Sequence, residues 1–393
     1  MTRAAPALAL ALLLSACADE VVAPVGDVEP TTCAGPTWTV ERELGFTRWN
    51  DTGGAAAESG DVVLVAWVER EENTVLHEIR GLLLDGATGE VRGEVPPVRG
   101  DFGDVWVQPV DTGFMVFVQN VFDVVAFHVD RDGGGFARVA SYRRGDLLFT
   151  AVATDAGVLA FGEDEVLFFN HDGALQARRR DGGLAESICR ASTALPDGRV
   201  AAWCTDLATG DQLWLTLDAE GQALGTTVVR PFMEWPPRLA ASEVGVFVVL
   251  PVAEQVVQVA LFDPEGVERV APQTVRLRTV ESGDDVGIIG VNACTATCEG
   301  LGLAARGNRA LLDVSTVFPS RAERFEVVFE DDTLRLQQRG VREVASRQFL
   351  TPTTTNPLSV WTRLGPHIPF LDMWPPHVLV VERACLPVSD DVD

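Results

Sequence analysis

CRASTALPDGRVAAWC, from Cys189 to Cys204, is the stretch that decides the fold. Leu195-Pro196-Asp197-Gly198 is a turn tetrapeptide, because Pro presets one backbone angle and Asp and Gly suit the positions after it. The two cysteines lie equally far from its midpoint. A hairpin closed tightly at Pro196-Asp197 therefore sets Cys189 across from Cys204, within the reach of a disulfide. A bulged turn would shift that register by one residue.

The same hairpin recurs along the chain. Each copy is a short strand rich in small residues, a turn, and a strongly apolar strand: GAAAESGDVVLVAW from Gly54, VWVQPVDTGFMVFV, FTAVATDAGVLAFG, ASTALPDGRVAAW, RLAASEVGVFVVL, IIGVNACTATCEGLGLAA and QFLTPTTTNPLSVW. The turns end at Gly60, Gly113, Gly157, Gly198, Gly245, Gly300 and Pro357. Further on in each of the first five units, 16 to 29 residues past the turn, comes a second hairpin, an apolar strand running into an acidic-glycine turn at Gly89, Gly133, Gly173, Gly221 and Gly266. VFEDDTLRL near Asp331 fits a sixth copy after an insertion. Two hairpins per unit mean four strands per repeat, and almost no segment has helical periodicity. The expectation is an all-β chain, a β-propeller of seven four-stranded blades, with six as the alternative count because the last two units are irregular. Radial repetition protects sheet edges in that architecture. A pair of β-sandwiches is the competing reading, but its strands would not repeat in fours.

The ends of the chain account for closure. The last unit lacks a fourth strand after HVLVVERACLP, while PTWTVEREL (36–44) precedes the first unit without a partner. If that opening strand completes the last blade, Cys33 meets Cys385 and the ring is clasped. Cys294 and Cys298 are expected to staple the turn of the sixth unit.

The chain begins MTRAAPALALALLLSAC. One Arg, an apolar run too short to span a bilayer and a small-residue end describe an export signal. Leu14-Ser15-Ala16-Cys17 resembles the bacterial lipoprotein box, and the resemblance covers the first 17 residues. It implies removal of residues 1–16, lipid on Cys17 and a membrane partner through that anchor. Ala18 follows, where enteric bacteria place Asp to retain lipoproteins at the inner membrane, so an outer-membrane or surface destination is implied. Residues 17–32 read as a lipidated tether reaching at most ~50 Å, 33–387 as the propeller, and 388–393 as an acidic tail. The six cysteines after Cys17 are an even number in an exported chain, which points to disulfides.

Composition excludes several chemistries. There is no lysine, so Schiff-base and phosphate-loop lysines are absent. The whole chain carries a formal charge of −26, which argues against nucleic acid as a partner. No GxSxG, HExxH, phosphate loop or calcium loop occurs, and neither a metal nor a cofactor is expected. Asp130-Arg131-Asp132-Gly133 resembles a calcium fragment but occupies the repeated turn slot. The sequence boxes of sialidase-like propellers are missing, and Tyr142 is the only tyrosine to set against their nucleophile.

What remains is binding. PFMEWPP (231–237) and PFLDMWPP (369–376) fall in connections that share one face of a propeller. Phe232, Trp235, Phe370 and Trp374 on proline-stiffened segments suit partner anchors, since burying them costs little loop entropy. Capping the ends of the core is the competing role. Arg178, Arg179 and Arg180 belong to the same face, where pairing with nearby acids competes with an anionic ligand. The sequence therefore favours an envelope-anchored module binding a protein or glycan, and leaves catalysis open. The alternative is an extracellular hydrolase or lyase acting on carbohydrate through paired carboxylates at the channel.

Overall fold

Burial in this chain follows strand position within the repeat. First strands are small and tightly enclosed, as in GAAAES (Gly54–Ser59), and second strands such as GVLAF (Gly157–Phe161) are buried at every residue. Fourth strands alternate, as in LQARR (Leu175–Arg179). A strand covered on both faces reads as a continuous apolar run, whereas one at the rim faces water on one side. The gradient thus runs from an axis to a circumference.

The computed structural model describes Cys33 and residues 35–44, 54–70, 77–100, 102–119, 124–142, 148–162, 165–180, 187–230, 237–253, 256–276, 301–316, 321–343, 349–351, 356–364 and 377–386. Among them are 28 strands and no helix, in seven antiparallel four-stranded sheets. The innermost strands are Gly54–Ser59, Val105–Val110, Thr150–Thr154, Ser187–Ala194, Arg238–Ser242, Leu301–Arg306 and Phe349–Thr351 in blades 1 to 7. Each packs against the next, and the last packs against the first, so the ring is closed. The protein is a seven-bladed β-propeller.

Closure follows the expected route. Trp38–Glu43 is the outermost strand of blade 7, antiparallel to His377–Arg383, with Trp38 opposite Arg383. Cys33 is bonded to Cys385. Asn356, fully buried, donates from Nδ2 to the carbonyls of Gly35 and Pro36 at 2.9 and 3.0 Å. Its Oδ1 accepts from the Leu386 N–H at 3.1 Å, tying both chain ends to one side chain.

The Cys189–Cys204 disulfide forms as well, by a different path from the symmetric hairpin. The turn spans 195–199, one residue wider than a tight closure, and Ala194 pairs with Val200. That register holds to Ala191 opposite Trp203. A bulge at Arg190 then takes up the extra residue and returns Cys189 to Cys204. Two one-residue irregularities cancel.

The second hairpins of blades 1 to 5 show why the repeat uses an acid or amide with a glycine, whereas in blade 6 Asp331 and Asp332 themselves take φ +50° and +56°. In blade 5 the Gly266 N–H donates to the Asp263 carbonyl at 3.1 Å, while Asp263 Oδ1 accepts from the N–H groups of Glu265 and Val267 at 3.0 and 2.8 Å. Gly266 sits at φ +84°, and a Cβ there would lie 2.4 Å from Trp214 Cγ of blade 4. Backbone conformation and close packing on the preceding blade both demand glycine. The Asp130 turn is built the same way, its carbonyl accepting from the Gly133 N–H at 3.0 Å, so it is turn chemistry.

The sixth unit departs from its expected frame. Its innermost strand is Leu301–Arg306 and its first turn is at Gly307, φ +56°. Gly300 therefore does not close that turn: the small-residue strand LGLAAR is the first strand, and RALLDVST (Arg309–Thr316) is the apolar second. Cys294 and Cys298 accordingly precede the blade, in the connection from blade 5, and lie outside the described residues.

Candidate functional site

The two faces of the ring are built differently. On one, the turns joining first to second and third to fourth strands lock neighbouring blades together. Trp214 Nε1 donates to the Pro264 carbonyl at 3.0 Å, and Trp38 Nε1 to the Gly86 carbonyl at 3.1 Å. Thr154 Oγ1 donates to the Ala219 carbonyl at 2.9 Å, and His171 bridges the Asp111 N–H and the Asp155 carbonyl at 3.2 and 2.9 Å. Thr112 Oγ1 contacts His128 Nε2 at 2.9 Å and donates to the His171 carbonyl at 2.7 Å. This face is committed to structure.

The opposite face carries the connections between second and third strands and between blades. The strands flanking both aromatic segments end there: blade 4 finishes at Arg230 and blade 5 starts at Arg238, while Leu358–Leu364 and His377–Arg383 flank the other. Phe232, Trp235, Phe370 and Trp374 themselves lie outside the described residues. So does the leader with Cys17.

The arginine run is engaged. The Glu165 side chain, 1% exposed, lies 3.5 Å from Arg178 Nη1 and 3.3 Å from Arg180 Nε. Arg179, one position between them on the strand, turns the other way and donates from Nε to the Glu220 carbonyl of blade 4 at 3.0 Å. Arg178 and Arg180 nevertheless keep side chains 45% and 60% exposed, so they frame a wet rim around a buried carboxylate.

Inside the ring, the innermost strands have both faces covered by neighbouring blades and one edge covered by the second strand. Their half-exposed residues can meet solvent only along the axis or at its mouths. These include Trp106, Gln108, Thr150, Arg190, Ser192 and Arg238. Side chains stitch the strands together: Gln108 Nε2 donates to the Ala151 carbonyl at 3.0 Å and its Oε1 accepts from the Ala153 N–H at 3.1 Å. Thr150 and Ser192 hydroxyls meet at 3.0 Å, and Thr193 Oγ1 accepts from the Ala241 N–H at 3.2 Å. Among these strands the single acid is Glu58, which pairs with the buried Arg383 of blade 7. A two-carboxylate hydrolytic centre does not assemble from them. Among the described residues no three His, Cys, Asp or Glu side chains cluster to hold a metal ion.

Arg190 and Arg238 were not singled out by sequence reasoning. Arg190 stands inside the hairpin that opened the reading, disguised as one more alternating position. Only the register mismatch between its wide turn and its cysteine pair marks it.

No family profile matches the chain, and no curated protein matches it by sequence. Solved structures do. A Bacteroides fragilis protein provisionally named a 6-phosphogluconolactonase aligns at 17% identity and TM-score 0.50, over 79% of this chain and 92% of its own. A Lactobacillus plantarum protein aligns at 15% identity and TM-score 0.46, over 76% and 86%. An uncharacterized Listeria monocytogenes protein aligns at 9% and 0.44, over 85% and 92%. At such identities the likeness is one of fold. The two disulfides fit maturation in an oxidising compartment, extracellular or periplasmic. Among the described residues no helix is long and apolar enough to cross a membrane.

Proposed function

We propose that the protein is a lipid-anchored, exported propeller that binds an envelope protein or glycan through the face bearing segments 231–237 and 369–376. The supporting observation is the asymmetry of the ring. One face is consumed by inter-blade turns, and the strand ends flanking both aromatic segments lie on the other. Rigid strands at both ends of each segment limit the entropy lost when Trp or Phe side chains are buried on a partner. Lipid on Cys17 and a tether over 17–32 would hold that face near the membrane surface. The channel carboxylate alternative lacks a pair among the described innermost strands, which favours binding over hydrolysis.

The test has two arms. Metabolic labelling with palmitate should mark the wild-type chain and not Cys17→Ser. The oxidised mature chain should retain defined glycans on an array or a cross-linked envelope protein, and Trp235→Ala with Trp374→Ala should lose that capture at least tenfold with an unchanged melting curve. Equal capture by the double variant would remove the aromatic face from the reading.

A further inference from the structure

We propose that the outermost strand of blade 4, Ala223–Arg230, is a dimerisation edge, where two copies of this chain join strand to strand, antiparallel about a two-fold axis through Thr226. The inference goes beyond the aromatic face and stands whether or not that face binds anything.

Comparison among the blades is the first observation. An outermost strand offers its free edge to any strand that reaches it, and proteins guard such edges with charge or proline. Arg138, Arg178, Arg269, Arg339 and Arg42 lie inside the outermost strands of blades 2, 3, 5, 6 and 7, and Pro96 interrupts that of blade 1. Blade 4 reads ALGTTVVR, with no charge or proline before its last residue. Bulges do not make up the difference. Those at Leu224 and Val229 leave a regular run from Gly225 to Val228 between them, whereas blades 1 to 3 and 5 carry a bulge and a guard together. The inner edge of Ala223–Arg230 pairs with Gln212–Leu217, and among the described residues no strand covers the outer one.

Exposure is the second. Leu224 and Val228 are 56% and 65% exposed, and Thr226 between them is exposed too, while Ala223, Thr227 and Val229 are half-buried. The exposed set is symmetric about Thr226. A two-fold axis there puts Thr226 opposite itself and Leu224 opposite Val228 of the second copy. Threonine then meets threonine and aliphatic meets aliphatic, both favourable cross-strand pairs.

Charge is the third, and it selects a second copy as the occupant. The chain carries −26, so two copies repel in most orientations. A two-fold contact lays each patch on its own image, and an acidic patch would meet acid. The uncharged run from Ala223 to Val229 meets no like charge. Pairing consumes both edges, so assembly stops at two. One strand edge is small against the ~800 Å² per partner of a standard interface, which makes the dimer reversible.

Sedimentation equilibrium on the oxidised mature chain across micromolar concentrations tests this. A monomer–dimer equilibrium is expected, tightening as added salt screens the net charge. Thr226→Glu should weaken it about tenfold or more with an unchanged melting curve. Val139→Glu, at an exposed apolar position on blade 2, should leave it as in the wild type, and so should Trp235→Ala with Trp374→Ala. Mild oxidation should link Thr226→Cys to its own copy, because residues opposite each other in an antiparallel pair lie within disulfide reach, and should not link Val139→Cys. That trap gives the readout if Thr226→Glu misfolds. A chain that stays monomeric throughout, assembles beyond two, or associates less in salt overturns the proposal. So does a dimer that neither Thr226→Glu weakens nor Thr226→Cys traps.

Discussion

At the seam of blades 4 and 5, Trp203, Trp214 and Phe262 pack ring on ring, with centroids 5.6 to 6.3 Å apart. At the seams either side of blade 7, buried ion pairs join the apolar contacts, which between blades 7 and 1 include Trp67 with Leu358, Val360, Leu379 and Val381. Arg324 of blade 6 holds the fully buried Asp313 through two bonds of 2.7 and 2.8 Å, and reaches Glu382 of blade 7 at 3.0 and 3.2 Å. Burial works against the Arg324 charge, but Asp313 and Glu382 more than offset it and hold the guanidinium above its ordinary basicity. One blade further on, Arg383, 2% exposed, pairs with Glu58 of blade 1 and lies 5.6 Å from the Trp38 ring. The rim of that seam repeats the device of the blade 4–5 turn: Trp38 bonds Gly86, and a Cβ on Gly89 would lie 2.7 Å from its ring.

The contrast follows from connectivity. Blades 4 and 5 are consecutive in the chain, and aromatic burial there is joined by hydrogen bonds from Trp214 to Pro264 and from the Ala241 N–H to Thr193. Blade 7 is assembled from two segments far apart in the chain, whose register no short turn sets. Apolar contact tolerates sliding, whereas a two-bonded guanidinium accepts one geometry. The ionic contacts flank the blade that is built from both ends of the ring-forming chain.

The largest effect should come from the clasp. Chain-entropy arithmetic for a loop closed across 352 residues gives about 6 kcal/mol, against about 3 kcal/mol for the 15-residue loop. Cys33→Ser with Cys385→Ser should therefore lower urea stability roughly twice as far as Cys189→Ser with Cys204→Ser. Equal losses would mean that the noncovalent ties around Asn356 and Arg383 already close the ring.

Next in size are single truncations at the two kinds of seam. Trp214→Ala should cost about 3–5 kcal/mol through lost burial and a cavity. Asp313→Ala should cost a similar ~3–5 kcal/mol, for the different reason that Arg324 keeps its charge with half its partners. The difference shows in repair. Asp313→Leu combined with Arg324→Met should recover most of the loss, because replacing a buried pair by apolar residues is often close to neutral. A double-mutant cycle by urea unfolding measures this. If the apolar pair is as unstable as Asp313→Ala alone, the ionic seam contributes net stability and not only register.

How much of this was legible depended on whether a feature was local. The acidic-glycine turns could be read from Gly89 to Gly266 because one residue type answers both a φ and a packing demand. The Cys33–Cys385 clasp was legible because an unpaired strand stood at each end. Blade 6 was misframed because Gly300 and Gly307 lie on either side of the small-residue strand LGLAAR, and local composition does not say which one closes the turn. The partners of Asp313 and Glu58 were invisible: Arg324 is 11 residues from one, and Arg383 is 325 from the other. Arg190 was hidden by the cancelling irregularities around it, which gave the right disulfide from a hairpin one residue too tight.

The smallest effect lies at the solvent rim of the blade 7–1 seam, where Arg42 Nη1 sits 2.7 Å from Glu94 Oε1. The hydrogen bond from Arg42, and then its charge, hold the Glu94 carboxyl below its ordinary range. A depressed carboxylate contributes stability above its unfolded value, near pH ~4, and loses it as pH falls through the lower folded value. Glu94 is 59% exposed, so water and salt screen the pair and its worth stays within about 1 kcal/mol. Glu94→Gln should thus fall slightly below the wild type in stability at neutral pH, converge with it in acid, and converge again at neutral pH in molar salt. The buried Asp313–Arg324 pair should ignore that salt. A Glu94→Gln deficit that survived both acid and salt would show that this rim is held by packing, and the division between an ionic and an apolar seam would then stop short of the surface.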